Sequence, residues 1–196
     1  MKALIIIDVQ NDFLLNGSLE VPSGGDVIEP INEIIGNYTL VVATKDWHPL
    51  DHVSFFSNHL DKKIGDVVKV NSIDQILWPE HCIQESRGSD FPTTLNFKQI
   101  NKIIYKGTNS QIDSYSGFHD NGKIRSTGLS DYLKTNNVIS IDYVGLVTEF
   151  CVKFTVFDSI KEGFKTRVIV KGIKGINLKE SNKALEEMKL KGIDLL

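Results

Sequence analysis

Short, almost continuous runs of apolar and β-branched residues recur along the chain, at Ala3 to Ile7, Thr39 to Ala43, Ile103 to Tyr105, Val138 to Val144 and Arg167 to Val170. Runs so short, with so little polar alternation, fit strands covered on both faces, because otherwise every second side chain would meet water. Between them lie amphipathic stretches at Val27 to Ile35, Leu129 to Lys134, Phe150 to Glu162 and Glu180 to Leu190. This alternation predicts an α/β fold, a parallel sheet with helices on both sides. Gly163 marks the end of the third helix, and Asn177, three residues before Glu180, has the spacing of a helix start. Ile193 to Leu196 reads as a short last strand.

The segment from Asp46 to Phe97 is aromatic, proline-bearing and weakly periodic. It reads as long irregular connections within one domain spanning residues 1–196, and such connections in a compact α/β domain carry function. With 41% hydrophobic and 24% charged residues the composition is that of a globular protein, which excludes disorder. The net charge of -3 is spread along the chain, so no basic field for nucleic acid is present. No apolar run approaches the roughly 20 residues of a membrane span, and Asp8 interrupts the first run too early for a secretory segment. A cytoplasmic protein without membrane or nucleic-acid partners is expected. Its two cysteines, Cys82 and Cys151, are then free.

Ligands of open parallel sheets bind beyond the carboxyl ends of the strands, so the polar residues that end these runs are the first candidates for chemistry. Cys151 follows the strand ending at Val144 and opens the next helix, with Thr148 as the expected N-cap. At that position the helix dipole would favour a thiolate, and unpaired N–H groups would receive an oxyanion. An ordinary buried cysteine among Phe150, Val152 and Phe154 is the competing reading. Asp8 ends the first run and is placed to accept a thiol proton, although an aspartate there is also a common loop cap. Lys106 ends Ile103 to Tyr105, where an ammonium beside a cysteine would lower its pKa.

Thr44-Lys-Asp46-Trp-His48 is more specific, since residues two apart on an extended segment project to one side and can share an ion. A carboxylate and an imidazole suit zinc, iron or manganese. His81, in Trp78-Pro-Glu-His-Cys82, is the best third ligand, with His52 as a further candidate. Three protein ligands would leave open positions for water or substrate. His59 and His119 stand in no motif and read as surface residues.

These segments in order resemble the isochorismatase-like cysteine hydrolases, and within them the nicotinamidase and pyrazinamidase branch. The resemblance is carried by Ala3 to Phe13, Gly17-Ser-Leu19, Thr44 to Pro49, Trp78 to Cys82, Lys106-Gly107, Tyr115-Ser-Gly-Phe118 and Val144 to Val152, and covers nearly the whole chain. It implies a three-layer α/β/α fold with a central six-stranded parallel sheet, and hydrolysis of nicotinamide to nicotinate and ammonia through a cysteine thioester. Asp8, Lys106 and Cys151 fall on the catalytic positions. The backbone N–H groups of Thr148 and Cys151 fall on the oxyanion hole, with a cis peptide just before Thr148. Asp46, His48 and His81 fall on the metal ligands, for one divalent ion with zinc the first choice. Phe13, Trp78 and Tyr115 would line a pocket for a flat pyridine. Phe150 departs from the pattern, since relatives often carry a polar residue before the nucleophile, and the segment between Lys106 and Tyr115 is longer than in some. A homo-oligomer is compatible with this reading. The alternatives are a hydrolase of another small amide or carbamoyl compound, and a non-enzymatic binding protein; the presence of Asp8, Lys106 and Cys151 together counts against the last.

Overall fold

The computed structural model covers residues 1–196. In chain order the elements are β1 (Lys2–Ile7), α1 (Ile28–Ile35), β2 (Val41–Asp46), β3 (Val67–Val70), β4 (Ile73–Ile76), β5 (Lys102–Lys106), α2 (Leu129–Thr135), β6 (Ser140–Leu146), α3 (Lys153–Lys161), β7 (Lys165–Lys174), α4 (Leu178–Leu190) and β8 (Asp194–Leu195). Six of these strands form one parallel sheet in the order β5-β2-β1-β6-β7-β8. The expected six-stranded parallel α/β architecture is therefore observed.

The double-faced burial of β1 explains its composition. Ala3, Ile5 and Ile7 pack into one core with Leu129 and Leu133 of α2, Val156 of α3 and Ala184 and Met188 of α4. Leu4 and Ile6 pack into the other, with Val27, Ile31 and Ile35 around α1. Isoleucine and valine serve here because stiff, branched side chains fill a pleated surface with little rotamer entropy to lose.

Chain winding then sets the place of the site. From β1 the chain steps outward to β2 and β5; from β6 it steps the other way to β7 and β8. The turn of direction lies between β1 and β6, and a crevice opens where crossovers diverge in this manner. Asp8 leaves β1 there, and the turn bearing Cys151 leaves β6.

Two local expectations are corrected. The Asp46 to Phe97 segment contains an antiparallel hairpin, β3 with β4, pairing Val70 with Ile73. Its two-residue turn, Asn71-Ser72, has both φ angles positive, the geometry that matches strand twist. Thr148 is not an N-cap: Val147 takes that place without a side-chain bond, and Thr148–Val152 forms a π-helical turn before α3, with Val152 N–H donating to Val147 O. Cys151 thus lies in that turn instead of the first α-helical turn. The start of α4 is as read, since Asn177 accepts from the Lys179 and Glu180 N–H groups.

Candidate active site and metal centre

The ends of β1, β2 and β5 are fastened to one another before any reacting group is considered. The Gln10 side chain pairs twice with the Asp46 backbone, donating to its carbonyl and accepting from its N–H, both at 2.8 Å. The Thr44 hydroxyl donates to Asp8 Oδ1 at 2.6 Å and accepts from the Asp8 N–H. Asp46 and Lys106 are register partners on adjacent strands. Three carboxyl-end residues from three strands are thereby held within contact of each other.

Lys106 is the hub. Its ammonium lies 2.9 Å from Asp8 Oδ2, donates to Asp46 Oδ1 and to the Ser114 carbonyl, and reaches Cys151 Sγ at 3.4 Å. Burial works against its charge, but the Asp46 and Asp8 carboxylates outweigh that cost and hold its pKa well above the ordinary value. Asp8 is fully buried, and burial raises its pKa to about 6 against the opposing pull of Lys106. Its Oδ2 makes no well-aligned hydrogen bond, so an acceptor is left open beside the thiol. Cys151 departs from expectation: burial pushes the thiol up more strongly than Lys106 draws it down, so it rests protonated. A resting thiol calls for a base at hand, which Asp8 can be.

Asp46, His48 and His81 have donor atoms within 4.8 Å of one another. Their tautomers suit ligation, because His48 Nδ1 faces the His81 carbonyl at 3.3 Å and His81 Nδ1 the Pro79 carbonyl at 2.8 Å. With both Nδ1 atoms facing backbone carbonyls, the Nε2 atoms are the ones turned toward an ion, as in metal-binding imidazoles, and Asp113 Oδ1 stands 3.4 Å from that of His48. Burial and the neighbouring His48 lower the His81 pKa to about 4, so its ring is neutral. Gly107 keeps the binding face clear, since a Cβ there would stand 2.6 Å from His48 Nε2. One carboxylate and two imidazoles with room beside them fit a divalent ion.

The aromatic residues form the wall. Phe13, Trp78, Tyr115 and Phe150 line the same pocket as Cys151, Asp46, His48 and His81. Phe13 lies 5.6 Å from the His81 ring, Trp78 meets Phe150 edge-on at 5.1 Å, and Trp78 Nε1 donates to the Tyr115 hydroxyl at 3.2 Å. Thr148 does not line it; its side chain borders a separate depression with Ile173 and Ser181. The cis peptide falls at Leu146–Val147, one residue earlier than expected, so it precedes Val147 and not Thr148. His52 is buried with its ring 4.3 Å from that of His48, but outside the pocket lining.

Sequence reasoning passed over Asp113 and Gln75. Asp113 lines the pocket, accepts from the Ser114 N–H and from Gln75, and lies 3.4 Å from His48 Nε2. Its signal was position alone, two residues before Tyr115.

A sheet wound in two directions, with its polar groups gathered where the winding reverses, is the architecture of a doubly wound α/β protein with its site at the switch point. The chain belongs to the isochorismatase domain family, whose description matches residues 2–196. It is 37% identical to the nicotinamidase of Escherichia coli over 99% of this chain and 93% of that protein. Among solved structures it resembles the nicotinamidase/pyrazinamidase of Acinetobacter baumannii, with a TM-score of 0.96 and 39% identity over 100% of this chain and 95% of the other. The pyrazinamidase of Pyrococcus horikoshii in complex with zinc superposes with a TM-score of 0.82 and 34% identity, covering 100% and 98% of the two chains. The protein is an amidohydrolase. None of its helices is long and apolar enough to cross a membrane.

Proposed function

We propose that the chain hydrolyses nicotinamide to nicotinate and ammonia, accepts the related pyrazinamide, and uses Cys151 as nucleophile. The observation that carries the reading is the position of one buried ammonium, Lys106, in reach of Asp8 and of the Cys151 and Asp46 side chains that line an aromatic pocket.

Asp8 Oδ2 takes the Cys151 proton as sulfur attacks the carboxamide carbon, and the C–N bond breaks as that proton passes to the departing ammonia. Backbone N–H groups of Val147, which follows the cis peptide, and of Cys151 receive the oxyanion in the tetrahedral state, since both residues line the pocket and Thr148 does not. Water then adds to the thioester with Asp8 accepting its proton, and the C–S bond breaks to release nicotinate and restore the thiol. Lys106 stays charged throughout and balances whichever neighbour carries the negative charge. Phe13, Trp78 and Tyr115 hold the pyridine ring by its faces and edges. Asp46, His48 and His81 would hold one divalent ion, for which zinc is the first choice by the ion of the Pyrococcus relative. Bound there, the ion supplies a Lewis acid that orients the ring nitrogen or a water. The substrate is a small molecule, and the work is that of nicotinamide salvage in the cytoplasm.

The test is ammonia release from nicotinamide, pyrazinamide and a panel of small amides and carbamoyl compounds, with the metal content of the same preparation measured. Turnover of nicotinamide and pyrazinamide above the panel supports the reading. Preference for a carbamoyl compound would replace it.

A further inference from the structure

Beside the donor set, and sharing His48 with it, lies a second group that brings in two ionisable side chains the reaction above does not use. His48, His52 and Asp113 have donor atoms within 4.8 Å of one another, and all three are buried. Asp113 groups with His52 and His48, not with Asp46 and His81.

The state of His52 follows from its neighbours. The Ser54 backbone N–H donates to His52 Nδ1 at 3.3 Å, and the Ser54 hydroxyl lies 2.7 Å from the same nitrogen. A backbone amide can only donate, so Nδ1 carries the lone pair and, in the neutral ring, Nε2 carries the proton. That Nε2 is buried and has no partner. A protonated ring nitrogen cannot bind a cation. It can only donate.

Asp113 is the complementary acceptor. Its Oδ1 is fixed by the Ser114 N–H at 2.7 Å and its Oδ2 by Gln75 Nε2 at 3.1 Å, and Oδ1 comes within 3.4 Å of His48 Nε2. That nitrogen is the one turned toward an ion, so the carboxylate stands at the edge of the coordination face without joining the donor set. A buried donor without a partner, His52 Nε2, and a buried acceptor, Asp113, belong to one tight group of side chains, an arrangement that a single bridging water satisfies.

We propose that Asp113 and His52 are positioning residues of the metal centre that hold a water against the ion-binding face of His48, Asp113 as acceptor and His52 as donor, neither being a ligand. Asp113 adds a negative charge beside the cation. This rests on the reading of Asp46, His48 and His81 as a metal site.

The experiment measures divalent metal affinity by chelator competition in the holoenzyme and its variants, and the visible bands of the cobalt-substituted protein, which report the ligand set. Asp113→Asn should weaken affinity about 10- to 100-fold, the usual loss for groups that support ligands from outside, with cobalt bands unmoved. His52→Leu should lose affinity about tenfold, and His52→Gln, which keeps an N–H near the same point, should stay within about threefold of the parent. The proposal is overturned by wild-type affinity in Asp113→Asn, by cobalt bands that shift in that variant, or by His52→Gln failing as badly as His52→Leu, which would make His52 a ligand. Should Asp113→Asn fail to fold, Gln75→Leu removes one donor that fixes Asp113 and should weaken affinity severalfold; no change would count against the proposal. His48→Ala separates the two readings. If it too retains the metal, the site itself has been misread.

Discussion

Lys106 and Asp46 are paired across adjacent strands and joined by a buried ion pair, so the cation beside Cys151 and a carboxylate of the proposed metal site are bonded to each other. Whatever draws charge from Asp46 alters the field at Cys151 through one ammonium. The proposed nucleophile and the proposed metal site thus share a single electrostatic unit.

Removing the sulfur isolates the chemistry. Cys151→Ala should lower ammonia release by about 10⁴-fold or more while metal content stays at the parental level. Substantial turnover in that variant would exclude Cys151 as nucleophile.

Removing the hub should cost stability as well as activity. Lys106→Met leaves Asp8 and Asp46 buried without their counter-charge, a change that typically costs about 3–5 kcal/mol. In metal-free protein this corresponds to a fall in Tm of roughly 10 °C for a chain of this size, read by calorimetry. An unchanged Tm would mean that the two carboxylates find other compensation.

His48→Ala should lose bound metal and bind nicotinamide far more weakly, measured by metal analysis and by titration of nicotinamide into the inactive Cys151→Ala background. Undiminished nicotinamide affinity would place the pyridine away from the ion.

Acid stability should depend on a pair outside the site. Burial alone would raise the Asp142 pKa, but hydrogen bonds from Arg167 and Tyr38 and the Arg167 charge outweigh it and leave the carboxyl below its ordinary value. A depressed folded-state pKa contributes stability that is complete above the unfolded value, about 3.9, and is lost as pH falls through the lower folded one. Urea midpoints should therefore fall less between pH 7 and pH 3 in Asp142→Asn than in the parent. Parallel falls in both would assign acid sensitivity elsewhere.

Much of this was legible in the chain because burial on two faces leaves a signature no other environment does. Ala3 to Ile7 and Val138 to Val144 could be little but central strands, and Asp8 and Lys106 stood out as charges where such strands stop. The hairpin was not legible: Val67–Val70 and Ile73–Ile76 are four residues each and mostly outside the core, and Asn71-Ser72 lacks the glycine that would announce its turn. The resting state of Cys151 was hidden for a different reason. Nearness to Lys106 and a helix start can be inferred from order along the chain, whereas the depth that keeps the sulfur protonated comes from Ile7-side packing between distant segments. Asp113 was passed over because a carboxylate in a loop is ordinary until the three side chains around it are known.

Gly145, where β6 pairs with Ile7 of β1, contributes no functional group at all. Its φ is +114°, and a Cβ there would stand 2.0 Å from the Ile7 carbonyl oxygen, against backbone that cannot move aside. Its bare backbone is what lets the strand carrying Cys151 approach the strand carrying Asp8. In a saturation scan scored by growth on nicotinamide, position 145 should tolerate as few replacements as position 151, and only the abundance of folded protein would tell the two apart. A map of intolerance drawn for this enzyme would thus mark the spacer as boldly as Cys151.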